Sequence, residues 1–93
     1  MTAVTVRVTE EHIAAGIQED CTRCPVALAI RDAVPGYFSV MVFNEEVRLA
    51  KYAARGGMLS TRVATPVGVK DWIYAFDRRL VVAPITFELE LPE

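Results

Sequence analysis

The sequence predicts an α+β fold: a single compact domain over residues 1–93, in the order β-α-α-β-β-β-α-β, with an antiparallel-rich sheet and helices packed on one face. Three observations lead there. Val4, Val6 and Val8 near one end, and Ile85, Phe87, Leu89 and Leu91 near the other, alternate with polar residues, the period of strands with one buried face. Pro25 and Pro66 each stand where a helix begins, ahead of apolar stretches of helical character. Between those helices, Gly56-Gly57 divides two strand-like runs, and paired glycines supply the positive φ of a hairpin turn.

The first strand centres on Val4, Val6 and Val8, and Thr9 follows it as a hydroxyl able to cap backbone N–H groups. Glu10 and Glu11 place carboxylates in the first turn, where the helix dipole favours them. This short helix is expected to run to Ala15 and stop at Gly16 in the left-handed conformation of a helix end. Pro25 then takes the first position of a second helix, apolar from Val26 to Val34 except at Arg31 and Asp32, and Pro35-Gly36 ends it.

Tyr37 to Phe43 is dense in aromatic and β-branched residues on both faces, as expected of a central strand, and Asn44-Glu45 reads as a turn. Val47 to Ala53 and Met58 to Ala64 form the hairpin across Ala54-Arg55-Gly56-Gly57. Thr65-Pro66 repeats the cap-plus-proline signature, and Val69, Trp72, Ile73 and Phe76 make one buried stripe at i, i+3, i+4 and i+7. Ile85 to Leu91 closes the fold with its acids on the polar face. Helices over one face of a sheet bury these stripes and strand faces together.

A chain of 93 residues holds one core, and 53% hydrophobic with 24% charged residues lies outside the range in which chains stay disordered. That apolar share in so short a chain is expected to be hidden partly by self-association into a homodimer. The longest apolar run, Pro25 to Ile30, falls far short of the roughly 20 residues a membrane span needs, so no membrane partner is expected. Met1 to Val8 shows no secretory pattern, which points to the cytoplasm and to reduced thiols.

The net charge of −2 is unevenly spread: residues 46–79 carry +4 and the remainder −6. Arg48, Lys51, Arg55, Arg62, Lys70, Arg78 and Arg79 are the bases of that segment, and a face gathering them would suit a small anionic ligand or nucleic acid. Tyr74, on the polar side of the third helix, joins Lys70, Arg78 and Tyr52 as a candidate aromatic and basic contact surface. Scattered solvated charges are the plainer explanation. Trp72 belongs to the apolar stripe and is expected in the core.

Cys21 and Cys24 form a C-x-x-C at a helix start, where free N–H groups can lower a thiol pKa. In a redox reading Cys21 attacks and Cys24 resolves, but no strand immediately precedes the motif and the element order is not thioredoxin-like. As zinc ligands, Cys21, Cys24 and His12 fall one short of four, with Asp20 a poor fourth, although two copies could supply four thiolates. The third reading is packing, with both cysteines as small residues shaping the turn. His12 has no nucleophile at a telling spacing, and no serine-elbow, phosphate-loop or dinucleotide motif occurs. Gly56-Gly57 is a turn, and Glu88 and Glu90 share a solvated strand face.

The string Asp20-Cys21-Thr22-Arg23-Cys24-Pro25-Val26-Ala27-Leu28-Ala29-Ile30, with Phe76-Asp77 and Pro84-Ile85-Thr86-Phe87 later, resembles a family of small proteins of actinobacteria and their bacteriophages. Those carry a D-C-x-x-C-P-V-A-L-A-I core followed by F-D and P-x-x-F segments. The family has no established activity, so the resemblance implies a phage or host-genome setting and transfers no catalytic role. The leading expectation is a non-enzymatic, phage-type binding protein, acting in the host cytoplasm on a host protein or host-derived ligand. An anion, nucleotide or nucleic-acid binder using residues 46–79 is the alternative, and a zinc or thiol-redox protein centred on the two cysteines comes third.

Overall fold

A computed structural model describes residues 2–92. Met1 and Glu93, the ends of the one-domain reading, lie outside the described residues. The chain runs β1 (Thr2–Val8), α1 (Glu10–Ala15), α2 (Pro25–Ala33), β2 (Ser39–Val42), β3 (Glu46–Tyr52), β4 (Met58–Ala64), α3 (Val67–Asp77) and β5 (Ile85–Leu91). This is the expected α+β order. The strands divide between two antiparallel sheets, however: β1 pairs with β5, and β2, β3 and β4 form a three-stranded meander in that order. Both sheets contribute to one core, in which Val6, Val8, Leu89 and Leu91 meet Val40, Val42, Val47 and Leu49 with α2 and α3.

Alternation sets the buried faces. In β3, Val47 and Leu49 point inward while Glu46, Arg48 and Ala50 point away, the result of a pleat that sends successive side chains to opposite faces. In β1 and β5 the same period buries Val6, Val8, Leu89 and Leu91. On α3, Val69, Trp72, Ile73 and Phe76 form the buried stripe. Trp72 stacks on Phe76 at 5.8 Å, and its Nε1–H donates to the Ala83 carbonyl at 2.7 Å, so its one polar atom is satisfied. No helix among the described residues is long and apolar enough to cross a membrane.

Local departures from the sequence expectations each have a physical cause. Gly16 is extended, with φ −71° and ψ 154°, instead of left-handed. What requires glycine there is space, because a Cβ would stand 2.5 Å from Cγ and Cδ of the buried Pro25. Pro66 is the cap residue of α3 and not its first helical residue, and Thr65 does not cap: its hydroxyl donates to the Phe43 carbonyl at 2.8 Å, tying α3 to β2. β2 is an edge strand and not a central one, with Val40 and Val42 buried and Phe38 exposed. Its outer edge is covered without a neighbouring strand, since the Val42 N–H donates to the Cys21 carbonyl at 2.8 Å. The hairpin follows expectation: Gly56 and Gly57 have φ of 94° and 79°, and Ala53 and Gly57 close the turn.

Candidate functional site

The cysteine loop is built as a closed unit. One Asp20 carboxylate oxygen accepts from the Thr22 N–H at 3.0 Å, the Thr22 hydroxyl at 2.9 Å and the Arg23 N–H at 3.1 Å. Those donors from Thr22 and Arg23 hold the Asp20 carboxyl below its usual range. The Cys24 sulfur accepts from the Ala27 N–H at 3.4 Å and so caps α2. Burial pushes the Cys24 thiol up, opposite to the shift a reactive thiolate needs. Cys21 is half-buried, and with Cys24, Asp20, Glu19, Asn44 and Asp77 it lines a cavity of about 210 Å³.

His12 is not part of this loop. The Thr9 N–H donates to His12 Nδ1 at 3.0 Å, which places the ring proton on Nε2, and Nε2 donates to Asp32 at 2.7 Å. With the Thr9 hydroxyl accepting from the His12 N–H, this forms a capping box that also ties α1 to α2. Both ring nitrogens are engaged. Among the described residues no three histidine, cysteine, aspartate or glutamate side chains converge as a metal site.

The bases of residues 46–79 fall in separate places. Arg48 and Arg62 stand directly opposite each other on β3 and β4, facing away from the core. Glu46 lies between them, bonded to Arg48 and 3.8 Å from Arg62, and Arg48 holds its carboxyl below the usual range. Arg48 also covers the Phe43 ring at 4.9 Å. Lys51 lies over Tyr37, and Arg55 sits in the hairpin turn. Lys70 is held by Glu45 at the opposite end of the hairpin. Arg78 stacks on Tyr74 at 4.7 Å on the exposed side of α3, and Arg79 follows that helix with φ 63°. Tyr52, grouped with Tyr74 on sequence grounds, belongs to the sheet and stacks on Phe38 at 4.5 Å.

What the structure does bring together is the open face of β2, β3 and β4. Register aligns it in rows: Met41, Arg48 and Arg62; then Ser39, Ala50 and Ser60; then Tyr52 and Met58, with Phe38 stacked beside them. The small middle row leaves a depression of about 230 Å³ bounded by Met41, Arg48 and Arg62. At its far end Tyr52 is 74% exposed, Met58 62% and Phe38 47%. Arg48 and Tyr52 are four residues apart on β3, about 13 Å at the usual strand rise. Phe38, Met41 and Met58 were not singled out from sequence, although the parity of β3 and the register of a Gly-Gly hairpin would have placed Met58 beside Tyr52.

Comparison with protein-family models, curated proteins and solved structures finds no match to this chain. The site is therefore read from its own chemistry.

Proposed function

We propose that this protein works by binding and not by catalysis, and that its working surface is the open face of β2, β3 and β4. The observation that carries the reading is the exposed Phe38–Tyr52 stack at one end of a shallow depression and the Arg48–Arg62 pair at the other. Aromatic side chains and arginine are the residues that most often anchor interfaces. The occupant that fits is an extended segment of another protein, because four residues in extended conformation span the same ~13 Å. A carboxylate on that segment would take the guanidinium donors that Glu46 leaves unused, and an apolar side chain four positions away would rest on the Tyr52 ring. In the setting implied by the resemblance, the partner is a host protein.

Glu46 between the two arginines makes this end only weakly positive, which suits a single carboxylate better than a chain of phosphates. A nucleotide is the second reading, favoured by the exposed ring stack next to cationic groups. Glu11, Asp20 and Glu46 each have a lowered carboxyl that owes its shift first to a hydrogen bond within its own segment.

The test is peptide-display selection on the wild-type chain, followed by affinity measurement on Arg62→Ala and Tyr52→Ala. Selected peptides are expected to carry an acid and an aromatic or aliphatic residue about four positions apart, and each substitution to weaken binding about tenfold. Ligands bound equally by both variants would sink the reading. Salt-sensitive binding of nucleotides with no peptide selected would replace it with the second.

A further inference from the structure

The edge of β4 lacks the protections that strand edges normally carry. The Thr65 N–H bonds to the Glu45 carbonyl and the Ala53 N–H to the Gly57 carbonyl, so the odd-numbered residues of β4 direct their backbone groups to β3. Antiparallel pairs alternate, and Met58, Ser60 and Arg62 therefore turn their N–H and C=O groups to the open edge. Among the described residues no group of the chain bonds to them. The strand Met-Leu-Ser-Thr-Arg-Val-Ala holds one charge and no proline. Its first half is uncovered on both faces, with Met58 62% and Leu59 50% exposed. By contrast β2, the other edge of this sheet, has four residues and is closed at Val42 by Cys21. A long edge with a single charge and no proline is a template for adding a strand.

We infer that β4 pairs antiparallel with β4 of a second copy across a two-fold axis at Ser60, joining two three-stranded sheets into one of six. In that register Ser60 faces Ser60, Met58 faces Arg62 of the partner subunit, and Leu59 faces the partner's Thr61. The arginines stay apart and Met58 meets the aliphatic stem of an arginine, so the edge is complementary to itself. The second half of β4 faces β5 across a notch of about 460 Å³, so pairing with a second copy centres on the first half of the strand, Met58 to Arg62. Exposed area agrees in scale: the chain exposes 5932 Å², whereas a compact protein of 10.3 kDa exposes about 5,400 Å². The surplus of roughly 500 Å² approaches the ~800 Å² that each partner buries in a standard interface. This inference rests on the backbone edge; Met58, Ser60 and Arg62 also belong to the open face, and self-association measured without any added ligand reads the edge apart from the ligand proposed there.

Sedimentation equilibrium of the full chain from about 1 to about 500 µM tests it, with a dissociation constant on the order of 10 µM expected for so small an interface. Ser60→Lys, at an exposed position, sets two ammonium groups face to face and is expected to weaken the dimer at least tenfold. The register makes a sharper demand at position 58: Met58→Glu faces the partner's Arg62 and is expected to tighten the dimer, whereas Met58→Lys loosens it. Circular dichroism at the lowest concentration confirms that each variant is folded. A chain monomeric throughout the range overturns the inference, as does a dimer indifferent to these substitutions. A monomer that instead takes an added extended peptide along this edge assigns the edge to a different occupant.

Discussion

Gly16→Ala is expected to destabilise the fold even though the backbone at this position suits any L-residue. With φ −71° and ψ 154°, alanine adds no backbone strain and restricts the unfolded chain, which alone would stabilise by about 0.4–1 kcal/mol. Against this, the new methyl would lie 2.5 Å from two ring carbons of Pro25 and 2.8 Å from its nitrogen. Pro25 is itself fully buried as the first residue of α2, so its ring cannot turn aside without moving the helix. Overpacking of this kind costs about 1–3 kcal/mol. The contact wins, and a net loss of ~1–2 kcal/mol corresponds to a melting temperature lower by about 5–15 °C for a domain of this size. Gly36→Ala is the control, since nothing lies within 4 Å of its added Cβ, and it is expected to be neutral or slightly stabilising. Thermal and urea unfolding of both variants at one fixed protein concentration reads the sign directly. A Gly16→Ala protein as stable as wild type would show that α2 and the α1 end are not packed as described.

Three further outcomes follow from the same contacts. Thr9→Ala removes the capping box that closes α1 and should cost about 1 kcal/mol in urea unfolding, while Thr9→Ser retains most of the stability. Leu49→Ala empties a fully buried site on β3 and should cost about 2–5 kcal/mol, whereas Val81→Ala, fully exposed, should change stability by less than ~0.5 kcal/mol. Because the Cys24 thiol is raised in the folded chain, the folded state holds that proton more tightly than the unfolded one. Its contribution is full below the unfolded pKa of about 8.5 and is lost as pH rises toward the folded value. Urea midpoints should therefore fall on the alkaline side of about pH 8.5, and Cys24→Ser, which replaces the capping sulfur with a capping oxygen that does not titrate, should flatten that fall.

Local chemistry alone determined most of the element map. Strand periodicity in β1 and β5, Pro25 opening α2, the Trp72 stripe of α3 and the Gly56-Gly57 turn are all set by neighbours a few residues apart, and sequence carries them directly. Wherever the deciding partner was distant in the chain, sequence could not supply it. Gly16 is glycine because of Pro25, Thr65 bonds Phe43 instead of α3, and β2 tolerates an edge because Cys21 covers it. The candidate surface divides in the same way. Alternation puts Arg48, Ala50 and Tyr52 on one side of β3, but only the packing of α2, β1 and β5 against the other side decides that this face is the one left open. The C-x-x-C pair shows the same limit from the other direction: a spacing compatible with metal, redox or packing roles is shaped by burial and by a hydrogen bond from Ala27 to the Cys24 sulfur, both of which exist only once the chain has folded.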